Sequence, residues 1–395
     1  MMRRRPLTLR GVGCLLCGIL LVIAANLIAA PVLIYLAVLL FALPIVASIA
    51  VHLPRRAGAV SRVISTDLLT VGETSRVTVR FDLRALRTPY GLWRDELPAA
   101  VSGEASGEYE RGSTSLRYQV TGVRRGVSAL GPLLLRTVDP FGLAQREQQF
   151  GDTSTITVVP QVVALEPLPV RVGASGGSAH SRSSRLGPGS DNLTPRHYVP
   201  GDSMRRIHWR ATAHRGDLMV RQEEEEASPD AVVVLDRAAS RWARPALAPD
   251  PLFETAVSLC ASVAIRLVQD GYGVDVIDSA GQLLGSLHGH EDDRDGLLVA
   301  LATISPRGEA RDIGALIGGS TPGPLVVITG AVTETDADRL RSAGAAAPIL
   351  FAAAPGEGAL HAAAAHGWRT AEIESGTDLA DAWQDVIPMP GALHG

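Results

Sequence analysis

Hydrophobic residues run unbroken near the N-terminus, alternate with polar ones in the next hundred residues, and return as short solid blocks towards the C-terminus. Each pattern predicts a different layer of structure. Residues 11–53 contain no acidic residue, lysine or arginine. Crossing a bilayer core ~30 Å thick takes ~20 apolar residues, so this stretch predicts two helices rather than one. Asn26 and Ala30-Pro31 near its midpoint suit a tight hairpin turn. Pro44 falls inside the second span, where a neighbouring helix makes it tolerable.

Between 60 and 165 the period is two. Arg76-Val77-Thr78-Val79-Arg80-Phe81, Leu116-Arg117-Tyr118-Gln119-Val120 and Thr155-Ile156-Thr157-Val158-Val159 each place an apolar residue at every second position. Glycines and prolines punctuate these runs, and an antiparallel β-sandwich is the fold class they predict. The stretch 173–195 is rich in Gly and Ser and predicts a linker. From 231 the blocks change character. Ala231–Leu235, Tyr272–Ile277, Leu325–Thr329 and Pro348–Phe351 read as strands buried on both faces. Helical spacing occupies 252–269, 292–304, 334–343, 357–366 and 378–387. Alternating strands and helices predict a doubly wound α/β domain over 231–390.

Charge adds an orientation. Arg3, Arg4, Arg5 and Arg10 precede the first span, and Arg55, Arg56 and Arg62 follow the second. Arginine on both flanks predicts that both ends, the short terminus 1–10 and everything after 53, lie in the cytoplasm, giving a two-pass protein of the inner membrane. All 37 basic residues are arginine, as in the proteins of GC-rich bacteria such as actinobacteria. The net charge of −4 gives no basis for nucleic acid as a partner. Cys14 and Cys17 lie in the apolar stretch with no histidine or further cysteine nearby, and Cys260 falls on the apolar side of a helix, so neither a metal pair nor a disulfide framework is expected.

The segment 196–230 stands apart. Gly201-Asp202 leads into a short basic stretch with Arg205, Arg206, Ile207, His208, Trp209 and Arg210, and Glu223 to Glu226 follow. Asp202 suits a helix cap, and Trp209 suits a domain boundary where its ring is buried. The arginines suit either an anionic partner or ion pairs with the glutamates. His208 and His214 are six apart, which keeps them off one helical face. An enzyme of hydrolase type would need Asp202, His208 and His214 to converge in one pocket.

Together these residues resemble the bacterial domain-of-unknown-function 58 family. The resemblance rests on Arg125-Gly126, Leu130-Gly131-Pro132 and Asp139 to Leu143, and on Tyr198, Gly201, Asp202, Arg205, Ile207 and Trp209 in matching order and spacing. It implies a membrane hairpin, a β-sandwich and a von Willebrand factor type A-like α/β domain. As partners it implies a MoxR-type AAA+ ATPase, a transglutaminase-like membrane protein and the lipid bilayer, in a cytoplasmic adaptor or scaffold that assists the assembly or regulation of protein complexes. Tyr198 to Trp209, with Arg206 and His208, would form its junction or partner-binding segment. No catalytic role or cofactor is implied. Type A domains often hold Mg²⁺ with an Asp-x-Ser-x-Ser loop and a later aspartate. Here Asp236 and Ser240 remain, but Ala238 takes the middle place and Gly330 follows Thr329 where an aspartate would stand. A degenerate site is therefore expected.

Overall fold

The structure is a computed structural model and describes residues 6–52, 60–81, 90–110, 115–168, 193–197, 212–213, 217, 219–223, 230–242, 250–312, 314, 323–340 and 347–387. The chain divides into two compact units. One comprises 1–164, 237–262 and 290–309, and the other 165–236, 263–289 and 310–395.

The first unit begins with two apolar helices, α1 (Leu9–Leu27) and α2 (Val32–His52), each long and apolar enough to cross a membrane. They are consistent with membrane anchoring, and the turn between them falls at 28–31, where the Ala30-Pro31 pair predicts it. Gly11, Gly18 and Ala25 are the buried residues of α1, one per seven positions, and Ala37, Pro44, Ala47 and Val51 are those of α2. Small residues let the two backbones close up where no water drives the helices together. At Gly18 an added Cβ would stand 3.0 Å from the Phe41 ring. Pro44 sits on this buried face of α2.

Eleven strands follow: β1 (Val60–Ile64), β2 (Leu69–Thr70), β3 (Thr74–Phe81), β4 (Tyr90–Asp95), β5 (Val101–Ser102), β6 (Ser106–Glu110), β7 (Ser115–Gly122), β8 (Gly126–Leu130), β9 (Leu133–Val138), β10 (Gln145–Phe150) and β11 (Ser154–Val159). They form three small sheets, β1-β3-β7-β5, β10-β9-β4-β6 and β2-β11-β8, antiparallel throughout except for β2 beside β11. The period-two pattern is why they share a core. Val77 and Val79 of β3, Leu116, Tyr118 and Val120 of β7, and Ile156 and Val158 of β11 all turn inward.

Inside this domain the Arg62 guanidinium grips Asp95 with two hydrogen bonds, of 2.9 and 2.8 Å, and Tyr118 donates to the same carboxylate at 2.7 Å. The Arg62 and Asp95 side chains are almost fully buried. Burial, and then the bond to Asp95, raises the Tyr118 phenol above its ordinary range, so it stays a donor. Arg62, counted among the charges that follow the second apolar helix, is thus held by Asp95 inside this domain.

The second unit holds an antiparallel ribbon of β12 (Leu193–His197) and β13 (Met219–Glu223), so a strand occupies the end of the expected linker. Six further strands make one sheet: β14 (Asp230–Leu235), β15 (Gly273–Asp278), β16 (Leu283–Leu287), β17 (Pro324–Val332), β18 (Ala347–Pro355) and β19 (Arg369–Glu372). Their order is β16-β15-β14-β17-β18-β19, parallel except for β16 at one edge. The helices of the C-terminal half are α3 (Pro251–Gln269), α4 (Glu291–Thr303), α5 (Glu334–Arg339), α6 (Ala359–Ala365) and α7 (Leu379–Val386). Of these, α4 and the first part of α3 belong to the first unit. Helices α5 and α6 cover one face of the sheet through Ala337 and Ala363, packed with Val234, Val327 and Leu350. On the opposite face Trp383 of α7 stacks on Phe351. Strands β16 and β19 carry no predicted element. Helix α3 is also apolar enough to span a bilayer, but 61% of its apolar window is buried within the protein.

Asp95→Ala strands a buried guanidinium and a buried phenol. Removing one partner of a buried pair costs about 3–5 kcal/mol, so urea unfolding of the detergent-solubilised protein should show a loss of that size for the β domain. A loss under about 1 kcal/mol, the range of exposed pairs, would mean the pair is hydrated.

Candidate functional site

The three pieces of the signature between 125 and 143 each make a fastening within the first unit. Arg125, only 8% exposed, donates to the carbonyl oxygens of Leu301 at 3.0 Å and Ile304 at 2.7 Å, the last turn of α4. It is also paired with Glu254 of α3 and lies 5.2 Å over the Phe253 ring. A cation at a helix C-terminus meets orphan carbonyls and the negative end of the dipole. Burial lowers the Arg125 pKa, with Glu254 opposing the shift. One side chain thus ties the β7–β8 loop to two helices.

Gly131 serves the Arg62 pair. Its φ is +97°, and an added Cβ would stand 2.5 Å from the Arg62 guanidinium, so a side chain at 131 would displace the buried ion pair.

The third piece, Asp139 to Leu143, is the turn between β9 and β10, and it meets the start of the membrane hairpin. The Asp139 carboxylate accepts from the Phe141 N–H at 2.8 Å and from the Ala144 N–H, which fixes the turn. Thr8, the N-cap of α1, donates its hydroxyl to the Gly142 carbonyl and its N–H to the Leu143 carbonyl at 2.9 Å. Leu7 bridges to Ala144, and the Gln145 N–H donates to the Pro6 carbonyl at 3.0 Å. Below the turn, Leu143 and Ala144 pack with Ala47 and Val51 of α2, with Cys14 and Leu43 alongside. Gly11 makes the approach possible, because a Cβ there would lie 2.2 Å from the Leu143 carbonyl oxygen.

The expected junction residues Tyr198, Gly201, Asp202, Arg205, Arg206, Ile207, His208 and Trp209 lie outside the described residues, as does His214. Asp236 is placed, at the carboxyl end of β14, where the sheet order switches between β14 and β17. In doubly wound sheets ligands sit at such switch points. Asp236 is fully buried and accepts from the Thr329 hydroxyl of β17 at 2.9 Å. Ser240 is exposed in a short 3₁₀ turn, Ala239–Arg241. Ala238 has no oxygen to offer in its side chain. Among the described residues no three of His, Cys, Asp or Glu are grouped as metal ligands. Asp236 with the Thr329 hydroxyl offers few of the six oxygens that Mg²⁺ takes, the remainder of which the ion can keep as water. A separate surface groove of about 410 Å³ on the β-domain sheet is lined by Leu92, Arg94, Glu108, Leu134, Arg136 and Glu147, among others, with no histidine or cysteine in its lining.

The sequence pattern assigns Asp95 and Glu254 no role, and marks Arg62 only as a flanking charge and Thr329 only as the end of a strand. Thr8 had a visible signal, a threonine directly before an apolar run. Gly11 and Gly13 separate contact from propensity. Alanine favours a helix over glycine by about 1 kcal/mol, and nothing lies within 4 Å of a Cβ at Gly13. Gly13→Ala should therefore leave or raise the melting temperature in detergent, while Gly11→Ala should lower it and expose the 139–143 turn to protease. Equal behaviour of the two would remove the joint.

The model of the family described as "Protein of unknown function DUF58" matches residues 194–343. The "Uncharacterized protein YeaD" of Bacillus subtilis (strain 168) is 26% identical over 236 residues, covering 56% of this chain and 55% of that protein, so the chain spans about half the length of this curated relative. Among solved structures, a cohesin module from a Clostridium perfringens ATCC13124 family 33 glycoside hydrolase aligns over 26% of this chain and 96% of its own, at 10% identity and a TM-score of 0.17. A conjugate transposon protein from Bacteroides vulgatus aligns over 25% and 86%, at 14% identity and a TM-score of 0.15. Structural likeness this slight carries no argument. Over residues 194–343, then, the chain is similar to the family described as Protein of unknown function DUF58.

Proposed function

We propose that this protein is a membrane-anchored cytoplasmic adaptor that holds a MoxR-type AAA+ ATPase, or that ATPase's client, at the inner face of the membrane. The observation that carries the reading is the joint between Thr8 and the 139–143 turn. It fixes the β domain to the hairpin by paired hydrogen bonds and apolar packing instead of leaving it on a free tether. Arg125 continues that path to α3 and α4. A scaffold gains from such a path, because an anchored partner surface then has a set orientation.

The α/β region is read as a von Willebrand factor type A-like domain. Its six-strand sheet, with one antiparallel edge strand and an aspartate ending the first strand at the switch point, supports that reading. In this account the metal function is lost and the domain binds by shape and charge. The arginines of 205–210 supply the contact, since interfaces favour Arg and Trp as anchors.

Two experiments follow. Pull-down of tagged full-length protein from native membranes should recover a AAA+ ATPase, and Arg205→Ala/Arg206→Ala, once shown to fold, should lose it. Recovery with both proteins would move the contact elsewhere, and recovery with neither would end the ATPase reading. In the second, Mg²⁺ titration of the detergent-solubilised chain should leave its melting temperature unchanged. Asp236→Ala should destabilise by about 1–3 kcal/mol through the orphaned Thr329 hydroxyl, with or without Mg²⁺. A Mg²⁺-dependent rise abolished by Asp236→Ala would restore the metal site.

A further inference from the structure

The turn that receives the hairpin also carries Phe141, the largest exposed apolar side chain among the described residues of the β domain, with 67% of its surface exposed. Its environment is set by α1. That helix has 19 residues, about 28 Å at ~1.5 Å per residue, against a hydrocarbon core of ~30 Å. There is no spare length, so Leu9, 90% exposed at the first turn, has to stand at the hydrocarbon boundary. Thr8 stands one residue further out, and its hydroxyl is bonded to the carbonyl of Gly142, the residue next to Phe141. Phe141 is therefore held level with the boundary by a turn whose backbone Asp139 has already fixed. Beside it, the exposed Arg10 guanidinium lies next to Gly142, placed to reach headgroup phosphates from an apolar stem.

We infer that Phe141 is a second membrane contact of this protein, a side chain of the β domain inserted into the headgroup–acyl boundary of the same bilayer that α1 and α2 span. The inference rests on the membrane-anchored reading and goes beyond it, because it makes a soluble domain part of the lipid-facing surface. Helix α1 itself exposes Leu9, Val12 and Leu16 within about two turns of Thr8, the residue bonded to the turn that carries Phe141. The ring spends its apolar area in lipid while the rigid turn keeps the Asp139 carboxylate buried behind it.

Depth measurement in nanodiscs tests this. A Cys14→Ala/Cys17→Ala background leaves Cys260 as the remaining thiol; it is fully buried and its pKa is pushed up to about 12 by burial, so it stays unlabelled. In that background Phe141→Cys and Leu20→Cys each receive an environment-sensitive fluorophore, and the lipids carry a nitroxide either near the headgroup or deep in the chain. Leu20, 64% exposed in the middle of α1, should be quenched most by the deep nitroxide. Position 141 should show blue-shifted emission and be quenched several-fold more by the shallow nitroxide than by the deep one. Quenching at Leu20 without quenching at 141 would overturn the inference and leave the anchor standing. No quenching at either position would overturn both. A second variant keeps an aromatic ring in place: p-benzoylphenylalanine at 141 should photo-crosslink to lipid, and crosslinks to protein alone would also overturn the inference.

Discussion

A few polar contacts at the first turn of α1 set how the β domain sits against the apolar hairpin. Thr8 caps the helix by accepting from the Gly11 N–H, and the same residue donates to Gly142 and Leu143 of the β domain. A helix end always leaves backbone donors to satisfy. Here the capping residue answers one of them and spends its own donors on the neighbouring domain. Gly11 has to lack a side chain for this to happen, and Leu143 has to lie over Ala47 and Val51 of α2. Changing any one of these residues alters where the β domain meets the helices.

The other fastenings in this unit are arginines taken out of water. Arg62 and Asp95 are almost fully buried, and Arg125 is buried against a partly exposed Glu254; buried pairs are weak sources of net stability. Their effect is selective. A planar guanidinium accepts few arrangements of partners, so Arg125 admits one docking of the α4 C-terminus and Arg62 one seat beside Gly131. Hydrophobic packing of the core sets that the domain folds, and these pairs set which loops face which helices.

Much of this architecture was legible in the sequence because it is local. The spans follow from an uncharged run and the turn from Ala30-Pro31. The inward residues of β3 and β7 follow from alternation, and β14 and β17 from solid apolar blocks. What escaped was long-range or patternless. Arg62 finds Asp95 across 33 positions, Thr329 finds Asp236 across 93, and Arg125 reaches Leu301 across 176, and no local period encodes such pairings. Arg62 reads as a membrane-flanking charge because the sequence shows its sign but not its partner. β19 reads as nothing, since Arg369–Glu372 has no alternation and is held as an edge strand by β18. For the candidate site, the signature was legible as a set of turns, while the task of each turn depended on what the fold brought against it.

The 19-residue length of α1 bears on how molecules meet this protein. A helix with no surplus cannot tilt far without drawing polar residues into lipid, and a domain fastened to its first turn shares that restriction. With α1 in a membrane, the β domain is thereby denied most of its tumbling and turns chiefly about the membrane normal. An encounter with another molecule then begins with one of the two orientational searches already narrowed, and with a second molecule in the same membrane, with both. Rate and selectivity of association would then be sensitive to bilayer thickness.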